Sequence, residues 1–178
     1  MKVLLHTCCA PCLLAPLEEL RSKDFSVTGF FYNPNVHPFS EYKLRQEAVK
    51  DLAAKKNLEM IFPEYELEDY FRAVVGHEKP AQRCPICWRM RLLKTAEAAK
   101  AKGFDYFTTT LLVSPYQDQD ALKAIGEEVS KECGIGFYYQ DFRPLFKKAH
   151  EEAKKQGIYC QKYCGCVYST MPRVKERK

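Results

Sequence analysis

No stretch of this chain approaches the ~20 consecutive apolar residues that a bilayer-spanning helix needs. The apolar run within Met1–His6 is far too short for a secretory signal. We therefore expect a cytoplasmic protein with no membrane partner. No internal repeat and no low-complexity linker interrupts the sequence, so residues 1–178 are read as one domain ending in a basic tail at about 171–178. The loop after the first apolar run lacks the glycines that let backbone amides approach a phosphate closely, which excludes ATP chemistry there. A hydrophobic content of 46% with 29% charged residues is that of a globular domain, and it excludes a disordered chain.

Cysteine, by contrast, is abundant. Nine cysteines in a reducing compartment need a chemical reason, because thiols there serve metals or catalysis more often than disulfide staples. The formal net charge of +5 is modest. Arg83, Arg89, Arg91 and Lys94 surround the central cysteines, however, and Arg173, Lys175, Arg177 and Lys178 close the chain. A polyanionic partner and ordinary solvated helix faces both account for this pattern.

Apolar or β-rich runs at Val3–Leu5, Val27–Tyr32, Met60–Phe62, Tyr106–Val113 and Phe137–Phe142 alternate with helical stretches. Alternation of this kind predicts an α/β fold with a mostly parallel sheet flanked by helices. Leu44, Ala48 and Leu52 mark one helical face, Ile86, Met90 and Leu93 a second, and Leu122, Ile125 and Val129 a third. Ser114-Pro115-Tyr116-Gln117 reads as a helix start with Ser114 as the cap. Gly103, Gly134 and Gly157 stand where left-handed helix ends are expected.

In an open parallel sheet, functional groups gather beyond the carboxyl ends of the strands. The first strand runs directly into His6-Thr7-Cys8-Cys9-Ala10-Pro11-Cys12, where adjacent cysteines converge only if the chain turns. Cys84-Pro85-Ile86-Cys87 places two thiols on one helical face, with Pro85 suited to a helix opening whose dipole favours thiolates. This CxxC pair suits half of a zinc site, half of an iron–sulfur site or a thiol redox pair. The CC loop supplies the other two ligands of a four-thiolate site. Cys164-Gly165-Cys166 closes a small, strained ring suited to a labile redox pair, with a second metal site or buried thiols as the alternatives. Cys133 reads as a core residue. Loops following the strands offer Tyr32, Asn33, His37, Tyr116 and Arg143 to a substrate, although His37 reads first as an exposed loop histidine. Glu41, Tyr42 and Arg45 read simply as the start of a helix, and Asp118 and Asp120 as acids of a first helical turn, with a metal-ligand role as their alternative.

HTCCAPC at 6–12, FYNPNVHPFSEY at 31–42, RCPICWRMRL at 83–92, SPYQD at 114–118 and YCGCVYS at 163–169 together resemble the QueH-type epoxyqueuosine reductases. The likeness runs from His6 to Ser169. It implies a nucleotide-hydrolase-like (HUP/PP-loop-like) three-layer sandwich, with a C-terminal helical segment carrying the CGC pair. The implied activity is the last step of queuosine biosynthesis, reduction of the epoxide of epoxyqueuosine in the tRNA anticodon loop. By the same resemblance Cys8, Cys9, Cys84 and Cys87 would hold a 4Fe-4S cluster, and Cys164 with Cys166 would be redox-active. Cys12 would ligate a second, mononuclear iron. The implied partners are tRNA carrying epoxyqueuosine and an external electron donor of the ferredoxin or flavoprotein-reductase type. The competing reading is a zinc-binding structural or RNA-binding module without catalysis, since thiol spacing alone does not choose the metal.

Overall fold

The computed structural model describes residues 1–170, and the basic tail expected at about 171–178 lies outside the described residues. The elements run β1 (Lys2–His6), α1 (Ala10–Ser22), β2 (Ser26–Phe30), α2 (Phe39–Lys55), β3 (Glu59–Ile61), α3 (Leu67–Val74), α4 (Pro80–Ala101), β4 (Tyr106–Thr109), α5 (Gln119–Cys133), β5 (Gly136–Phe137) and α6 (Phe146–Lys155). All strand pairs are parallel, in the order β3-β2-β1-β4-β5. Val3, Leu4 and Leu5 of β1 are fully buried, as a central parallel strand covered on both faces requires. One helical layer holds α1 against α2 and α6, and the other holds α4 against α3 and α5. The expected three-layer α/β architecture is therefore observed.

The order reverses between β1 and β4, which places the crevice of an open α/β sheet at their carboxyl ends. His6 stands there in register with Phe30 on one side and Thr109 on the other. Gly103, Gly134 and Gly157 adopt φ of 70°, 63° and 66°, the left-handed conformation expected at helix ends.

Several local expectations are corrected. The run 106–113 is a strand only to Thr109, whose side chain accepts from the Leu111 amide at 3.1 Å and turns the chain into a 3-10 segment, Thr110–Val113. The fifth strand is confined to Gly136–Phe137, because it pairs only with Tyr106 and Phe107 of β4. Helix α5 starts at Gln119, with Asp118 accepting from the Ala121 amide at 3.0 Å, while the Ser114 hydroxyl accepts from the Tyr116 amide in the turn before it. Leu44 is exposed, since α2 turns Tyr42, Arg45, Gln46, Val49, Leu52 and Ala53 inward. In α4 the deeply buried stripe is Cys87, Trp88, Arg91, Leu92, Thr95, Ala96 and Ala99, with Ile86, Met90 and Leu93 half-buried beside it. The helix opens at Pro80, so Cys84 and Cys87 lie within it and not at its N-terminus. Cys164 and Cys166 lie in irregular backbone between α6 and the 3-10 turn Val167–Thr170, not in a helix.

Candidate metal and redox site

At the end of β1 the backbone turns through an extended Cys9, with φ of −170°, into α1, where Pro11 occupies the first turn. This turn brings the sulfurs of Cys8, Cys9 and Cys12 within 4.8 Å of one another. Cys8 and Cys9 are 3.6 Å apart at their sulfurs. Thr110, just past β4, binds Cys8 twice: its oxygen accepts from the Cys8 amide at 3.0 Å and its hydroxyl faces the Cys8 sulfur at 3.3 Å. Gln161 Nε2 donates to the Cys9 sulfur at 2.8 Å.

The three thiols do not ionise alike. Contacts with the Cys12 and Cys9 thiols hold Cys8 well below the usual thiol range, helped by Arg91 and Thr110. Burial pushes Cys9 up, and the contacts with Cys8 and Cys9 push Cys12 up. Cys8 is thus the thiol that ionises most readily, and gathering further negative charge on its neighbours is opposed by burial unless a cation stands among them.

The CxxC pair is governed by burial. Burial raises the Cys84 thiol and pushes Cys87 up to about 12. The thiolate-favouring effect expected from a helix N-terminus is therefore missing, because four helical residues precede Cys84 and the dipole field fades within the first turn. One turn on from Cys87, Arg91 is buried and donates through Nε to His6 Nε2 at 3.2 Å and through Nη2 to Asn33 Oδ1 at 2.8 Å. Burial and Arg91 push His6 down to about 3; its Nδ1 meets Thr109 Oγ1 at 2.8 Å, and its Nε2 lies between the Arg91 guanidinium and the Tyr32 carbonyl, the latter at 3.1 Å. Among the described residues Arg91 has no carboxylate partner within salt-bridge distance.

The CGC segment is clamped by α2 and the loop before it. Arg45, 1% exposed, donates to the carbonyls of Cys164 and Tyr163, each at 3.0 Å, and to Glu41 at 2.8 Å. The His37 amide donates to the Gly165 carbonyl at 2.8 Å, and His37 Nδ1 accepts from the Val167 amide at 3.3 Å. Gly165 has φ of 115°, and a side chain there would meet Val36 at 2.7 Å and Arg45 at 3.1 Å. Only glycine fits both the conformation and the space. Cys164 is exposed, whereas Cys166 is buried and accepts a hydrogen bond from the Tyr70 hydroxyl at 3.0 Å. Tyr70, Val74, Cys87 and Cys166 form one small apolar cluster, so the CxxC and CGC pairs adjoin.

Of the residues offered to a substrate, three are buried. Tyr32 donates to Glu66 at 2.6 Å, Asn33 donates to the Thr7 carbonyl at 2.9 Å, and His37 stacks on Phe71 with ring centroids 4.7 Å apart. His37 is thus not an exposed loop histidine. Tyr116 is 84% exposed, and Arg143 lies at the surface paired with Asp141 at 2.6 Å. Cys133 and Cys160 are half-buried and stand apart from the three-thiol group. Sequence reading missed Arg45, Arg91, Tyr70 and Thr110. For the arginines a signal existed, since Glu41 and Arg45, like Cys87 and Arg91, are four residues apart on one helical face.

A buried three-thiol group at the switch point, a second thiol pair beside a buried guanidinium, and a third pair with Cys164 exposed and Cys166 buried define a parallel α/β protein whose crevice gathers soft sulfur donors of the kind that metals and thiol redox chemistry use. The family model described as epoxyqueuosine reductase QueH matches residues 3–172. The epoxyqueuosine reductase QueH of Dehalococcoides mccartyi is 38% identical over 173 residues, covering 97% of this chain and 94% of that protein. That of Thermotoga maritima is 36% identical over 179 residues, covering 96% and 91% respectively. The chain belongs to the epoxyqueuosine reductase QueH family. A predicted subunit of a tRNA methyltransferase from Methanocaldococcus jannaschii superimposes with a TM-score of 0.55 at 13% identity, covering 86% of this chain and 76% of that one, and shares the fold. No helix among the described residues is long and apolar enough to cross a membrane.

Proposed function

We infer that this chain reduces epoxyqueuosine to queuosine in the anticodon loop of tRNA, in the cytoplasm. The observation that carries the reading is the convergence of Cys8, Cys9 and Cys12 within 4.8 Å at the switch point of a chain belonging to this family. The donor set suits iron bound through thiolates. Sulfur is the soft ligand such clusters take, and buried Arg91 and Arg45 offset the negative charge that ionised thiols bring. Cys8, Cys9, Cys84 and Cys87 would hold a 4Fe-4S cluster and Cys12 a further iron. When bound, this group supplies electrons one at a time.

The chain's own residues do the rest. Removing the epoxide oxygen as water takes two electrons and two protons, and a dithiol closing to a disulfide releases the same number of each. Cys164 and Cys166 match that need, and an external donor of the ferredoxin or flavoprotein-reductase type returns the pair to its dithiol. Exposed Tyr116 and Arg143 suit stacking on an unpaired base and pairing with a phosphate. Buried Tyr32, Asn33 and His37 act from behind, by holding Glu66, Arg91 and the CGC segment in place.

Anaerobic purification followed by iron, sulfide and zinc analysis tests the reading, together with turnover of epoxyqueuosine tRNA by the same sample. About four or more iron and four sulfide per chain with queuosine formed is the expected result. A zinc-only protein, inactive after reconstitution with iron and sulfide, would promote the structural RNA-binding reading instead. Cys164→Ser is expected to keep its iron and lose turnover, whereas Cys8→Ser loses both.

A further inference from the structure

Tyr70 belongs to no motif and plays no part in the chemistry so far, yet it is 1% exposed and its hydroxyl is spent on a sulfur. The hydroxyl lies 3.0 Å from Cys166, inside the apolar cluster shared with Cys87 and Val74. The ring is fixed from the side by His37 and Phe71, at centroid distances of 5.2 Å and 5.7 Å. His37 in turn binds the Gly165 carbonyl and the Val167 amide on either side of Cys166. The hydroxyl and the sulfur are thus held against each other by one rigid assembly. An oxygen donor buried at this depth has to find an acceptor, and the sulfur is the acceptor provided.

We propose that Tyr70 is a positioning residue that sets the reduction potential of the Cys164–Cys166 pair by hydrogen-bonding Cys166 in its reduced form. The inference rests on the reading of that pair as redox-active. A reduced cysteine sulfur, above all a thiolate, accepts a hydrogen bond better than a disulfide sulfur does. The Tyr70 bond therefore favours the dithiol over the disulfide. Stabilising the reduced form makes a dithiol–disulfide couple more oxidising, hence easier for an external donor to recharge. In the half-reaction, both sulfurs of the disulfide take up one electron and one proton each, the S–S bond breaks, and Tyr70 keeps its own proton while donating to the Cys166 sulfur. In turnover the electrons come from the external ferredoxin- or flavoprotein-type donor; in the test below they come from dithiothreitol, which is itself oxidised to its disulfide.

The test is equilibration of the iron-loaded protein in anaerobic dithiothreitol redox buffers. Free thiols are then alkylated, and the peptide carrying Cys164 and Cys166 is quantified by mass spectrometry. Tyr70→Phe, which removes only the oxygen, is expected to shift the dithiol–disulfide equilibrium about tenfold toward the disulfide. For a two-electron couple that is ~30 mV more negative. A fluorotyrosine at position 70, a stronger donor of the same shape, is expected to shift it the other way. An unchanged equilibrium in both variants overturns the inference. A wild-type chain that forms no Cys164–Cys166 disulfide in any buffer overturns instead the reading on which it rests.

Discussion

Arg45 and Cys164 are 119 residues apart in sequence, and the arginine Nη1 donates to the cysteine carbonyl at 3.0 Å. The same guanidinium holds Tyr163 and Glu41 and lies over the Tyr163 ring, 5.3 Å from its centroid. A planar fork with several fixed donors can do this, whereas the single ammonium of lysine cannot. Glu41 is held from a second direction by the Tyr159 hydroxyl at 2.6 Å, so the ion pair anchors both ends of the segment 159–164.

Arg45→Ala leaves the Glu41 carboxylate buried without its cation. The expected cost is about 3–5 kcal/mol of unfolding free energy, read by denaturant titration. Arg45→Lys keeps the charge and should cost less, yet both variants should lower turnover at least tenfold, because the CGC carbonyls lose their anchor. Wild-type turnover in Arg45→Lys would show that the fork is dispensable.

Arg91 is a buried cation that meets a neutral histidine, an amide and the Cys87 sulfur, the last at 4.0 Å. A charge so placed needs an anion nearby, and ionised thiols are the anions at hand. With iron bound, Arg91→Gln is expected to make the metal centre harder to reduce, seen as a more negative midpoint in an EPR-monitored titration at unchanged iron content. Equal midpoints would remove Arg91 from the electrostatics of the site.

Recognition of an anticodon loop through phosphates should weaken steeply with salt, roughly 0.7 log units of affinity per log unit of salt for each phosphate neutralised on single strands. Fluorescence anisotropy with an anticodon stem-loop RNA over a range of potassium chloride gives the slope. Arg143→Ala should lower it by one contact, and a flat salt response would exclude a phosphate-binding surface.

Glu66 joins Tyr32 to Lys94, with contacts of 2.6 Å to each. Burial alone raises its carboxyl, but the hydrogen bonds from Lys94 and Tyr32 outweigh burial and leave it below the usual range. The unfolded chain therefore takes up this proton first as pH falls. The stabilisation is fully present above the ordinary carboxylate value of about 4.3 and is lost as pH drops through the lower folded value. The pair with Lys94 is partly exposed, so its contribution is about 1 kcal/mol or less. Acid-unfolding curves of Glu66→Gln should be correspondingly shallower below pH ~5, and identical curves would refute the linkage.

The alternation of apolar runs and helical stretches carried the sheet, because parallel strands buried on both faces must be continuously apolar and their crossovers amphipathic. The ends of those elements were less legible. Thr109 and Asp118 each redirect the chain with a side-chain hydrogen bond that competes with the local pattern, so β4 stops early and α5 starts late. His37 looked like a loop residue because its neighbours are turn formers, whereas Phe71 and Val167, which bury it, lie far along the chain.

Cysteine type and spacing by themselves determined the chemistry available to this protein. CCxxC, CxxC and CGC are soft sulfur donors at separations that local backbone geometry can converge, which points to metal or thiol redox chemistry while leaving open which metal and which role falls to each cysteine. Tertiary structure decided which charges and hydroxyls serve those sulfurs. Arg91 faces His6 across 85 residues, Thr110 reaches Cys8 across 102, and Tyr70 reaches Cys166 across 96. Such pairings arise from how helices and loops pack over the sheet. Apart from the four-residue spacing of Cys87 and Arg91, no local feature of the sequence separates a polar side chain buried in this way from one that faces water.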